Sequence, residues 1–298
     1  METPSKIKVG RFTVHFLTDG LWRNDGGCML GVVPRELWKK DHPPDELNRI
    51  RLNLTCPLVI DGEYAILIDC GIGNRLGDSE RRIFAHSEGF LPQCLAAVGL
   101  EAGEITHVLL SHLHFDHCGG IVRRRKSGVL EAAFPRARLL VQRGEMELAL
   151  NSRNDRLRAA YRHADECIRT VRSSIDPLDH AETEIVAGLT AVVSGGHTTH
   201  HQVAVVRDLG ESFIHLADIV PTRSHMRPAW NQAFDLDALR TMEQKAGHLK
   251  RAAAEGSWIS FAHDDQVFAA RVSESGGRFA IQETLAVEGA FSAGELLT

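Results

Sequence analysis

The stretch SHLHFDHCGG at 111–120 places His112, His114, Asp116 and His117 within six positions. A histidine pair at i and i+2 can address one point from one side of an extended segment, and an Asp-His pair just beyond can address a second point nearby. Four such donors in one loop suggest two metal ions, and the fold must then bring the missing donors to the same place.

The rest of the chain supplies candidates, each directly after an apolar run of strand length. His112, His114, Asp116 and His117 follow VLLS, His197 follows AVVSGG, Asp218 follows FIHLA, and His263 follows WISFA. Donors that all sit just past strand ends share one rim of the sheets. Imidazole mixed with carboxylate suits Zn²⁺, with Fe, Mn and Co as alternatives.

The 298 residues can build a sizeable core and are read as one domain, 1–298. Hydrophobic residues at 43% and charged residues at 24% are ordinary for a soluble globular chain. The net charge of −5 argues against a nucleic-acid partner, and the one basic run, Arg123 to Lys126, reads as a solvated loop. The opening METPSKIKVGRFTVHFL has no long apolar region, so no secretory signal is expected. No apolar run approaches the roughly 18 residues of a membrane span, and no membrane partner is expected. The six cysteines show no CxxC spacing, and a reduced, cytoplasmic protein is expected.

Along the chain, KVGRFTVHFLTDG and CPLVIDGEYAILIDCG read as strands, with a hairpin turn at DGEY. LPQCLAAVGLEAGEI reads as a helix with a glycine stop, and Arg143 to Arg172 as helix. Strands return in GLTAVVSGGHTTHHQVAVVRD, SFIHLADIV and WISFAHDD, around an amphipathic helix in DLDALRTMEQKAGHLKRAAAEG. The order is β-rich, then α, then the same again. The expected fold is α/β, a four-layer αββα sandwich of two similar β/α halves.

The HxHxDH run at 112–117, followed in order by His197, Asp218 and His263, resembles the metallo-β-lactamase-fold hydrolase superfamily over nearly the whole chain. By that resemblance His112, His114 and His197 bind one metal, Asp116, His117 and His263 bind the second, and Asp218 bridges them. The catalytic residues it implies are Asp218, which holds the pair of ions around a shared hydroxide, and Asp116, which can guide a proton to the leaving group.

DGGCMLGVVPRELW at 25–38, the segment 48–74 and ADIVPTRSHMRPAWNQAFDLD at 217–237 look like the branch of N-acyl-homoserine lactonases and methyl-parathion-type hydrolases. The resemblance implies a dinuclear zinc hydrolase of small-molecule lactones or esters, with acyl-homoserine lactones leading. The alternatives are a phosphotriesterase and, from another class, a metal-bearing binding or signalling protein with little turnover. A homodimer is implied by the resemblance alone. The chain departs from the family at Gly196-His197-Thr198-Thr199-His200-His201, where Pro and Gly are lost and His200 adds an imidazole. His200 is expected to face solvent or pack, and His201 to support the loop. Neither Tyr64 nor Tyr161 maps onto a substrate oxyanion. Candidate substrate-binding residues are Met29, Leu30, Val32, Val33, His225 and Trp230, from loops expected to lie near the metals.

Overall fold

A computed structural model of the chain describes residues 4–87, 89–151 and 154–287. The first sheet is built from β1 (Lys6–Val9), β2 (Phe12–Asp25), β3 (Arg49–Ile60), β4 (Ala65–Ile68) and β5 (His107–Leu109). A small ribbon of β6 (Val122–Arg124) and β7 (Leu130–Ala132) intervenes, and β8 (Arg138–Gln142) and β9 (Ile175–Leu178) complete the first sheet. The second sheet contains β10 (Glu182–Val186), β11 (Leu189–Val193), β12 (Gln202–Asp208), β13 (Glu211–His215), β14 (Trp258–Ser260), β15 (Val267–Ser275) and β16 (Arg278–Ala286). Each sheet opens with antiparallel hairpins and turns parallel further along, at β4 against β5 and at β13 against β14. This repetition is the two-half order read from the sequence.

The two-residue period of a strand explains the layers. In β4, Ile66 and Ile68 point between the sheets, while Leu67 points out towards Leu91 and Leu95 of the helix Phe90–Ala97. In β12, Ala204 and Val206 point between the sheets, and Val203 and Val205 point out towards Leu249 and Ala252 of the helix Ala238–Glu255. Three apolar layers therefore separate helix, sheet, sheet and helix. The middle one is closed by Phe16, edge-on to Phe213 at 5.7 Å and stacked on Phe268 at 5.9 Å between ring centres.

Local chemistry sets the connections. Asp61 makes the β3–β4 turn by accepting from the N–H groups of Glu63 and Tyr64 at 3.0 and 2.8 Å. The helix Ala238–Glu255 starts at Asp237, whose side chain accepts from Arg240 N–H, and stops at Gly256 in the left-handed conformation. The helix Phe90–Ala97 ends before Gly99, so it is shorter than predicted, with a single 3₁₀ turn at Ala102–Glu104.

One other expectation is corrected, and one on a surface segment is given its place. The helix expected over 143–172 is three short ones, Arg143–Asn151, Asp155–Ala160 and Ala164–Thr170, with residues 152 and 153 outside the described residues. Asn154 caps the second by accepting from Arg156 N–H, and His163, at φ +65°, breaks the chain before the third. The basic run is the tip of the β6–β7 ribbon, where Arg123 and Arg125 both pair with Glu131. Among the described residues, no helix is long and apolar enough to cross a membrane.

Candidate metal centre

The strands that face each other across the middle layer end at one rim. β5 runs into the loop with His112 and His114 and then into the short helix Phe115–Cys118, which carries Asp116 and His117. β11 runs into Gly195 and Gly196 before His197, β13 into Asp218, and β14 into His263. Gly196 has φ +93°, and a Cβ there would come within 2.8 Å of the Thr241 backbone nitrogen, so no larger residue fits beneath His197.

The structure brings all seven predicted donors together. His112, His114 and His197 converge with ligand atoms within 4.8 Å of one another, as do Asp116, His117 and His263, and as do His112, His117 and Asp218. His114 Nδ1 is 3.0 Å from His197 Nε2. Asp218 turns its two oxygens to different partners. Oδ2 is 3.3 Å from His197 Nε2, while Oδ1 is 3.3 Å from His117 Nε2 and 3.2 Å from His263 Nε2. Burial pushes the Asp218 carboxyl up, but His263, His117 and His197 pull it further down, and it is held well below the usual carboxylate range.

Each of three imidazoles has its far nitrogen committed. His117 Nδ1 meets Asp69 Oδ2 at 2.9 Å, His263 Nδ1 meets the Asn53 carbonyl at 2.9 Å, and His112 Nδ1 meets Ser111 Oγ at 3.0 Å. His197 is held likewise, by Asp235 Oδ1 at 2.8 Å. The inner atoms are different. His112 Nε2, His117 Nε2, His263 Nε2 and Asp218 Oδ1 are buried and make no hydrogen bond. Buried polar atoms are costly unless something satisfies them. Three of them on rings fixed from behind, with one carboxylate oxygen, all aimed at one place, are a donor set that fits divalent cations.

Several supports were missed in the sequence. Asp69, at the end of β4, also accepts from Ser111 N–H and Oγ, both at 2.7 Å. Burial pushes its carboxyl up, and His117, bonded to it at 2.9 Å, with His215 Nε2 3.6 Å away, holds it low. An aspartate straight after an apolar strand was a readable signal. Asp235 and Gln232, whose Nε2 donates to Asp218 Oδ2 at 2.9 Å, lie in a loop with no local pattern. Glu145 is fully buried and accepts from Tyr161 OH and Thr198 Oγ1, both at 2.7 Å, and from Leu113 N–H at 3.2 Å. Burial holds its carboxyl above the usual range against those three bonds. Tyr161 stacks edge-on to His114 at 4.9 Å, and Tyr64 lies at the other end of the sheet, beside His107.

His201 braces the loop, with Nδ1 2.7 Å from Ser194 Oγ and Nε2 accepting from Asp218 N–H at 3.3 Å. His200 points away and packs over Gly144. Cys118 is buried under the loop, its thiol on the Leu113 carbonyl at 3.4 Å.

A cleft opens over the donors, with Trp22, Met29, Phe84, Phe115 and Phe234 among its apolar wall. Of the six residues read as substrate-binding, Met29 alone lines it. Leu30 and Val33 turn into the core beneath, with Trp38 and Ile50. Val32 is 90% exposed. His225 is buried between Thr222 Oγ1 at 2.8 Å and the Met29 carbonyl at 2.9 Å, behind the wall. Trp230 lies half-buried under Arg227, at 4.1 Å from the guanidinium carbon to the ring centre. The helix Gly26–Leu30 is only five residues long, so it offers one side chain to the cleft and the next to the core.

Two facing sheets between helices, with imidazoles and carboxylates at one rim, define a metallo-hydrolase architecture. The chain belongs to the metallo-β-lactamase superfamily, whose family model matches residues 52–263. That superfamily implies a divalent metal. It is 27% identical over 174 residues to an N-acyl homoserine lactonase of a Bacillus species, a match spanning 55% of this chain and 61% of that one. A crystal structure of a probable metal-dependent hydrolase from Staphylococcus aureus is 29% identical, with a TM-score of 0.86 over 95% of this chain and 99% of that one. A dizinc quorum-quenching lactonase, solved in complex with a product, shares the fold at 20% identity, with a TM-score of 0.78 over 94% of this chain and 96% of that one.

Proposed function

We propose that this chain is a single-domain hydrolase that holds two divalent cations, zinc first, and opens lactones or esters, with N-acyl-homoserine lactones as the leading substrates. The observation that carries this is the set of buried inner atoms without hydrogen bonds on His112, His117, His263 and Asp218, under an apolar cleft. In this reading His112, His114 and His197 hold one cation, Asp116, His117 and His263 hold the other, and Asp218 serves both. Two cations held so supply Lewis acidity, which acidifies water and polarises a carbonyl or phosphoryl oxygen.

The side chains do the rest. Asp69, Asp235 and the Asn53 carbonyl fix the imidazole planes, so that nothing reorganises during the reaction. Asp116 lines the cleft and serves as the proton carrier to the leaving group. Trp22, Phe84, Phe115 and Phe234 hold the organic part of the substrate and exclude water. That aromatic lining also favours a second reading, a phosphotriesterase with the same centre.

Proton release in a weakly buffered indicator assay tests this, with zinc-loaded protein and a long-chain acyl-homoserine lactone, an aryl ester and a phosphotriester. Rapid release on the lactone, lost on chelation, supports the lactonase. Turnover of the phosphotriester alone moves the reading to the second. Silence on all three with both metals bound overturns the hydrolase reading in favour of a binding protein.

A further inference from the structure

The turn after the helix Asp155–Ala160 brings one cation to the cleft. Arg162 lines it beside Phe84, Phe115 and Asp116. Its guanidinium carbon is 5.0 Å from the Phe84 ring centre and 5.2 Å from that of Phe115. Nε donates to the Ala159 carbonyl at 3.0 Å, and Nη1 donates to Glu80 Oε1 at 3.2 Å. Nη2 has no partner among the described residues.

Three facts bear on what Nη2 is for. The stacking on two rings and the two bonds fix the guanidinium plane, so its remaining donors have a set direction. Glu80 does not cancel the charge alone, because it also accepts from Gly77 N–H at 3.1 Å and meets His163 Nε2 at 3.0 Å. The acidic residues that line the cleft, Asp116 and Asp218, both belong to the metal donor set. A guanidinium on an apolar wall, with one nitrogen unused and its acid, Glu80, shared with His163, is an acceptor-seeking group. An anion satisfies it better than a neutral carbonyl, because charge-assisted bonds are about twice as strong.

We propose that Arg162 is a specificity-determining residue that receives a carboxylate of the substrate, so the preferred substrates are esters or lactones bearing an anionic group. This rests on the hydrolase reading and departs from its leading substrate, since an acyl-homoserine lactone carries no charge there. The carboxylate meets Nη2 while the ester carbonyl lies over the donor set, and the aromatic wall covers the carbon chain between them.

The test compares 4-nitrophenyl hydrogen glutarate with its methyl-capped neutral counterpart, on metal-loaded protein. The expected result is a kcat/KM at least about tenfold higher for the anionic ester, carried mainly by KM. Arg162→Gln should remove that preference at unchanged metal content, and Arg162→Lys, which keeps the charge and loses the plane, should keep part of it. A parent protein without the preference, or an Arg162→Gln variant that retains it, overturns the proposal. If neither ester is turned over, the hydrolase reading is decided by the lactone and phosphotriester assays above, and binding decides Arg162 separately. Intrinsic tryptophan fluorescence would then be titrated with monomethyl glutarate and dimethyl glutarate. Tighter binding of the anion, lost in Arg162→Gln, supports the anion site, and equal binding overturns it.

Discussion

His197 Nδ1 lies 2.8 Å from Oδ1 of Asp235, 38 residues later in the chain. The same loop carries Gln232, which donates to Asp218. Thus one irregular segment braces two donors that come from different strands. That segment is itself tied down from the helix Ala238–Glu255 by Lys245, whose buried ammonium donates to the Arg227 and Trp230 carbonyls at 3.2 and 2.8 Å and to Asn231 Oδ1 at 2.8 Å.

Asp235→Asn keeps the shape of the brace and removes its charge. Metal affinity should fall by about 10- to 100-fold, the usual effect of losing such a partner. Competition with a chelator measures it. Unchanged affinity would mean that the charge of Asp235 adds nothing to how His197 is held.

Asp218→Ala should lower the metal content from two per chain towards one or none, because both halves of the donor set lose the carboxylate they share. Elemental analysis after gel filtration gives the count. A variant with two metals and the parent rate would remove the bridging role.

Two imidazoles make stability depend on pH. Burial holds His225 at about 3, helped by Lys245 and opposed by its bond to the Met29 carbonyl. Burial holds His86 at about 4, opposed by the Asp19 carbonyl and helped by Arg81. Both lie below the ordinary 6.5, so the unfolded chain takes up these protons first. Their stability is whole above about pH 6.5 and is lost as pH falls towards 4, by at most about 1.4 kcal/mol per pH unit for each ring. Urea midpoints of metal-free protein across that window should fall less steeply in His225→Gln than in the parent. Parallel slopes would rule out the contribution of His225.

Phe213→Ala opens the layer between the sheets. The side chain is fully buried against Phe16, so the loss should be about 3–5 kcal/mol with an unchanged denaturant slope. A loss under about 1 kcal/mol would mean that the surrounding side chains collapse into the gap.

Much of the site is legible in the order of residues along the chain. His112, His114, Asp116 and His117 are close in sequence, and His197, Asp218 and His263 each follow an apolar strand, so a strand-end position is enough to suggest a shared rim. The layered fold is legible for the same reason, because alternation and helical period report burial locally. The cleft wall is not. An apolar residue in a short helix can face a ligand or the core, and period does not separate the two. Met29 and Leu30 are neighbours with opposite fates, and Val32 faces solvent.

The sequence by itself therefore determined the chemistry available, imidazoles and carboxylates at strand ends, and the two-sheet architecture that collects them. Only the tertiary structure decided which residues stand behind those donors and which stand over them. Asp235 reaches His197, and Arg162 reaches Phe84 and Phe115, across long stretches of chain. Such pairings depend on the packing of whole layers, and no local pattern of residue types encodes them.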